Sequence, residues 1–70
     1  MLKRMNILLN NETISVSEAS TIRKLLDYIN LQQKYYAVEV NEQIVPKSSH
    51  ASFLLKEGDK IEIVTAIGGG

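Results

Sequence analysis

The sequence predicts an α+β domain with segregated layers, in which one helix packs across one face of a mixed four- to five-stranded sheet. Three observations carry that expectation. Apolar and polar residues alternate along Met5–Leu9, Thr13–Val16, Tyr36–Asn41 and Lys60–Thr65, the pattern of strands buried on one side. Between the first two runs and the last two, Ile22, Leu25, Leu26 and Ile29 fall at the i, i+3, i+4, i+7 spacing of one helix face. The chain has 70 residues, 44% of them hydrophobic, and no cysteine, so one small core must hold the fold without disulfides.

Each element has a local cause. Met5, Ile7 and Leu9 share one face of the first strand. Asn10 and Asn11 tolerate a left-handed turn, and Thr13–Val16 then resumes the alternation with Ile14 and Val16 inward. Two short alternating runs around such a turn read as a β-hairpin. Ser20 or Thr21 is a suitable N-cap for the helix, which ends near Asn30. Arg23 and Lys24 oppose the helix dipole in its first turn, at a cost of a few tenths of a kcal/mol each. Exposed charges are tolerated there, and a contact to an acidic partner is the less favoured alternative.

Val38 and Val40 point inward from the third strand. Glu42-Gln43 is expected to turn the chain into a short Ile44-Val45 strand, which Pro46 stops because it has no N–H for a ladder. Lys47–Ser52 reads as a polar loop, and its His50 as a surface residue with no second histidine or cysteine to complete a metal site. Lys56–Asp59 is a turn in which Gly58 takes the positive φ. Lys60–Thr65 is the last strand, with Ile61 and Ile63 inward. First and last strands can then lie side by side at the centre of the sheet. The expected core is Met5, Ile7, Leu9, Ile14, Val16, the four helix residues, Val38, Val40, Ile61 and Ile63.

Composition removes several function classes. Eight basic and eight acidic residues cancel, with the signs interspersed, and there are only three Tyr, one Phe and no Trp. Nucleic-acid binders show a basic stripe and aromatic platforms, so that class is disfavoured. Apolar runs of a few residues fall far short of the ~20 needed to cross a bilayer, and the basic start lacks the apolar core of a signal peptide. The default expectation is a protein of the cytoplasm or an organelle stroma, without membrane or nucleic-acid partners and monomeric when free. No nucleophile–base spacing among Tyr35, Tyr36, His50 and the carboxylates exceeds chance, so neither catalytic nor metal residues are assigned.

What remains is the end of the chain, Ala66-Ile67-Gly68-Gly69-Gly70, which holds three of the four glycines. Glycines add nothing to a core and cost the most entropy to order. They do provide a thin backbone with no Cβ, ending at an α-carboxylate. That group is ionised at neutral pH and is a poor electrophile until activated. No helix follows the glycines, so they do not cradle a nucleotide. A frayed terminus is the competing account. Val64 and Ala66 lie on the face opposite Ile61 and Ile63, where they form a partner-binding patch or pack on the protein's own edge; Ile67 is a candidate anchor just before the glycines.

Taken together, Met5-Asn6-Ile7-Leu8-Leu9-Asn10, Thr21-Ile22 leading into Leu25-Leu26, Val40-Asn41-Glu42-Gln43-Ile44-Val45-Pro46, Glu57-Gly58-Asp59-Lys60-Ile61 and the terminal Gly69-Gly70 resemble the ThiS family. These are the ubiquitin-like β-grasp sulfur carriers of thiamine biosynthesis. The resemblance runs from Met5 to Gly70, with residues 1–4 an N-terminal extension, 5–66 the β-grasp domain and 67–70 a flexible glycine tail. It implies that an adenylating enzyme activates the Gly70 carboxylate with ATP and Mg²⁺, with Gly68 and Gly69 threading the tail to the nucleotide. Sulfur relayed from a cysteine desulfurase then gives a C-terminal thiocarboxylate, the sulfur donor to thiazole synthase. The carrier binds no cofactor itself and is a co-substrate, not a catalyst. Lys24 departs from the family pattern where a Glu would close a capping box, and Gly68 is a third glycine before the required pair. The small subunit of molybdopterin synthase shares this fold and ending and ranks second; a ubiquitin-like modifier conjugated through Gly70 is a further alternative.

Overall fold

Asparagine-led turns set the frame of the sheet. The computed structural model describes residues 3–65, in which β1 (Arg4–Leu9) and β2 (Glu12–Ser17) precede α1 (Ile22–Tyr28). β3 (Tyr36–Val40), β4 (Gln43–Val45) and β5 (Lys60–Thr65) follow, with a 3-10 turn at Lys47–Ser49 between the last two. Asn10 and Asn11 have φ of 47° and 70°, and the second hairpin turns at Asn41 and Glu42 with φ of 51° and 69°. Positive φ at both central residues marks the turn whose twist matches antiparallel strands. The second turn lies one residue earlier than the expected Glu42-Gln43: Gln43 already pairs with Val40 as the first residue of β4. Asn41, placed at the end of the strand on pattern alone, is the residue that enters the left-handed region most cheaply.

The strand order is β2-β1-β5-β3-β4. β1 and β5 lie side by side at the centre, as expected, and run parallel, while the other neighbours are antiparallel. The two turn asparagines grip β5 from both sides. Ile63 N–H donates to Asn10 Oδ1 at 2.8 Å, and Asn10 N–H donates to the Ile61 carbonyl at 2.9 Å. On the other side, Lys60 N–H donates to Asn41 Oδ1 at 3.0 Å and Asn41 N–H to the Lys60 carbonyl at 2.8 Å. Side-chain amides thus continue the ladder beyond the point where each hairpin turns away. Replacing Asn10 by Ala should cost about 1–3 kcal/mol, from the lost hydrogen bond and the left-handed backbone together. Asn10→Gly should recover the backbone part, which urea unfolding of the two variants will separate.

Thr21 caps α1, its Oγ1 accepting from Lys24 N–H at 3.2 Å. The helix ends at Ile29 with Asn30 at φ 56°, while Leu31 N–H donates to the Leu26 carbonyl and Asn30 N–H to that of Asp27. This is a Schellman cap with asparagine in the glycine position. Ile22, Leu25 and Leu26 are buried against Met5, Ile7, Val16, Val38, Val40 and Ile61. Leu9, Ile14, Ile29 and Ile63, expected in the core, are partly buried around it.

Val45 and Leu55 complete the core, and neither was expected there. Leu55 arrives because residues 53–55 run beside the helix entry: Ile22 N–H donates to the Phe53 carbonyl and Leu55 N–H to that of Ser20. His50 is the clearest correction. It is only 1% exposed, not a surface residue. The 3-10 turn after Pro46 swings the imidazole inward, where Nε2 lies 3.0 Å from the Val45 carbonyl and the ring stacks on Tyr36 at 6.3 Å. A carbonyl only accepts, so Nε2 carries the proton, and Nδ1 is buried with no partner among the described residues.

Candidate functional site

The strand that leads to the glycines is flanked on both sides in the sheet. β5 lies between β1 and β3, but its two borders end at different heights. On the β1 side, strand pairing covers Lys60 and Ile61, and the Asn10 side chain supplies the last rung at Ile63. On the β3 side, pairing continues through Val64 opposite Ala37 and Thr65 opposite Tyr36. Val64 and Thr65 therefore extend past the β1–β2 hairpin with only β3 alongside. A firm central strand thus delivers the chain to the sheet's end at Thr65.

Of the residues predicted for the site, Val64 lies within the described structure. It is 52% exposed on the face away from α1, as the alternation of β5 requires. Packing on the protein's own edge, the alternative for this residue, does not occur for most of its surface. Ala66, Ile67, Gly68, Gly69 and Gly70 lie outside the described residues. Chain geometry still bounds their reach. Five extended residues span at most ~18 Å.

The face around Val64 is open. Ile44, on β4, is 70% exposed, and the cross-strand register places it opposite Glu39, which in turn faces Glu62 on β5. Sequence reasoning pointed to Val64 but not to Ile44, Glu39 or Glu62, because their adjacency depends on strand register. His50 is buried under the opposite, helix-bearing face. Among the described residues no three His, Asp or Glu side chains come together as a metal site, and no helix is long and apolar enough to cross a membrane.

A single helix across a five-stranded mixed sheet with a central parallel pair is the ubiquitin-like β-grasp architecture. Comparison with known proteins agrees. The model described as "ThiS family" matches residues 2–70. The sulfur carrier protein ThiS of Escherichia coli is 32% identical over 66 residues, 94% of this chain and 100% of that protein. The crystal structure of the thiamine biosynthesis protein ThiS from Geobacter metallireducens has a TM-score of 0.83 at 28% identity, covering 94% of this chain and 100% of that one. A thiazole synthase of Paramagnetospirillum magneticum is 42% identical over 66 residues, but the chain spans only 20% of its length. The chain belongs to the ThiS family. It is a sulfur carrier of thiamine biosynthesis and not itself a catalyst.

Proposed function

We propose that the reactive group is the α-carboxylate of Gly70. A carboxylate oxygen attacks the α-phosphorus of ATP on an adenylating enzyme, pyrophosphate leaves, and the product is an acyl-adenylate. Mg²⁺ travels with the ATP and is held by that enzyme. A persulfide relayed from a cysteine desulfurase displaces AMP to give an acyl disulfide, a thiol reductant cleaves its S–S bond to leave a C-terminal thiocarboxylate, and this then donates its sulfur to thiazole synthase. Adenylation is the step the chemistry demands, since an ionised carboxylate resists attack by an anionic sulfur nucleophile until its oxygen becomes a good leaving group.

The family match carries this reading, because it extends through Gly69-Gly70 and includes the tail as well as the fold. Two supporting points come from the chain itself. Gly68 and Gly69 have no side chains to obstruct a narrow channel, and Ile67 can anchor at its mouth beside Val64 and Ala66. Without a cysteine, the chain has no side-chain thiol to carry sulfur, which leaves the terminus. Thiazole synthase as acceptor is supported by relatives that bear that name and contain a segment like this chain within a longer polypeptide.

Intact-mass measurement after incubation with ATP, Mg²⁺, the cognate adenylating enzyme and a sulfur source tests the reading. The expected product has one sulfur in place of one oxygen, mapped to Gly70. An unchanged mass with a competent partner set overturns it. Isopeptide adducts on lysine-containing proteins would indicate the modifier alternative instead.

A further inference from the structure

Among the described residues β2 is one edge of the sheet, and the bonds around it fix where its backbone groups point. Glu18 N–H donates to the Lys3 carbonyl at 2.8 Å, which makes Lys3 and Glu18 a hydrogen-bonded pair. Bonded and non-bonded pairs alternate along an antiparallel ladder. Met5–Val16 and Ile7–Ile14 are then bonded, while Arg4–Ser17, Asn6–Ser15 and Leu8–Thr13 are not. The far side of β1 agrees, since the Asn6 carbonyl accepts from Gly58 N–H and Leu8 N–H donates to Asp59. On β2, the N–H and C=O groups of Thr13, Ser15 and Ser17 therefore point away from the sheet. Of these, the Ser17 carbonyl is taken by Ser20 N–H at 3.1 Å.

The two edges are protected differently. β4 has only three residues and is stopped by Pro46, both of which discourage an added strand. β2 has six residues and no proline, and residues 13–17 carry no charge. Its charge comes from the neighbouring strand. Arg4 Nε donates to Ser15 Oγ at 3.2 Å, and Nη2 donates to the Ser15 carbonyl at 2.8 Å. That carbonyl is one of the outward acceptors. The guanidinium hooks over the middle of the edge and covers the acceptor that an added strand would use.

We infer that Arg4 guards this edge against pairing with a second copy of the chain. Two β2 strands fit antiparallel about a two-fold axis at Ser15. Ser15 N–H of each copy then donates to the Ser15 carbonyl of the other, and Ser17 N–H to the Thr13 carbonyl. Ile14, partly buried in the single chain, comes to lie opposite Val16 of the second copy. Such a contact is self-complementary and closes on a dimer. Arg4 opposes it twice, by occupying the Ser15 carbonyl and because the axis would bring two guanidiniums together. Glu12 opposite Glu18 at each end adds a repulsion that salt screens. The inference is independent of the chemistry at Gly70, since β2 lies on the other side of β1 from β5.

The test compares the full wild-type chain with Arg4→Ala and with Arg4→Ala combined with Ser15→Pro. Proline is tolerated on an edge strand where the N–H faces solvent, so the second change removes the central donor with the strand kept. Sedimentation equilibrium at high salt gives the association constant, and amide hydrogen exchange is followed at Ser15 and Ser17. Thermal unfolding sets a temperature at which all three proteins are folded. The wild type should stay monomeric, while Arg4→Ala should dimerise about ten-fold or more tightly than it. Protection at Ser15 and Ser17 should rise with Arg4→Ala concentration, and Ser15→Pro should restore the monomer. An Arg4→Ala chain that associates no more than the wild type overturns the guard. Assemblies larger than dimers, or association that survives Ser15→Pro, overturn the two-fold pairing. A wild-type dimer protected at the same amides shows that Arg4 does not close the edge.

Discussion

Deleting Gly69 and Gly70 is expected to abolish sulfur loading while leaving the unfolding transition essentially where it was. The truncated chain still ends in an ionised α-carboxylate, now on Gly68, so the reacting group is chemically unchanged. Only its position differs. Two residues span up to ~7 Å when extended, and a misplacement of even 1 Å from the attacking geometry can cost a factor of about 10². With the carboxylate several ångströms short of the ATP α-phosphorus, acyl-adenylate formation should fall below detection. Stability should not follow, because the described core is complete by Ile63 and glycines bury no side chain. Two readouts decide the matter: pyrophosphate release with the adenylating enzyme, and the thermal midpoint of the truncated protein. Retained pyrophosphate release would place the reactive group elsewhere. A large drop in the midpoint would show that the tail packs as part of the domain.

The fold was largely legible in the sequence, and the reasons are specific. The β1–β2 hairpin announced itself because Ile7 and Ile14, partners across the sheet, sit on alternating runs around two asparagines. The helix did so because Ile22, Leu25 and Leu26 make a stripe behind a threonine cap. What escaped lay where no period exists. His50 and Leu55 belong to an irregular segment whose Lys47, Ser48, Ser49, Ala51 and Ser52 suggest solvent, yet the 3-10 turn after Pro46 folds it back over the core. Phe53-Leu54-Leu55 was the available signal, an apolar run too short to assign a direction. The glycine tail was conspicuous by residue type alone. The facing of Glu39 and Glu62 was not, since it follows from a register that pairs residues 23 positions apart.

Replacing Leu26 by alanine should bring the domain close to its limit. Leu26 is 3% exposed in the middle of a helix of seven residues, and its carbonyl accepts the Leu31 N–H of the C-terminal cap. Truncation removes the side chain from the helix–sheet interface, for which large-to-small changes cost ~2–5 kcal/mol. Alanine's better helix propensity returns only a few tenths of a kcal/mol. Native proteins hold roughly 0.05–0.15 kcal/mol per residue, so a chain of this size has ~4–10 kcal/mol in total. A loss of ~2–5 kcal/mol is then near half of it, and at about 4–8 °C per kcal/mol the midpoint should fall by at least ~8 °C. Tyr28→Ala, on the exposed side of the same helix, should stay within about ±0.5 kcal/mol of the wild type. Urea unfolding of the pair isolates burial from helix formation, because both changes put alanine into one helix. If Leu26→Ala loses no more than Tyr28→Ala, the helix is not clamped to the sheet through that residue. Sulfur loading of Leu26→Ala should track the folded fraction on cooling, since nothing in the tail has changed. A loading defect that persists in fully folded Leu26→Ala would instead link the helix side of the domain to the adenylating enzyme.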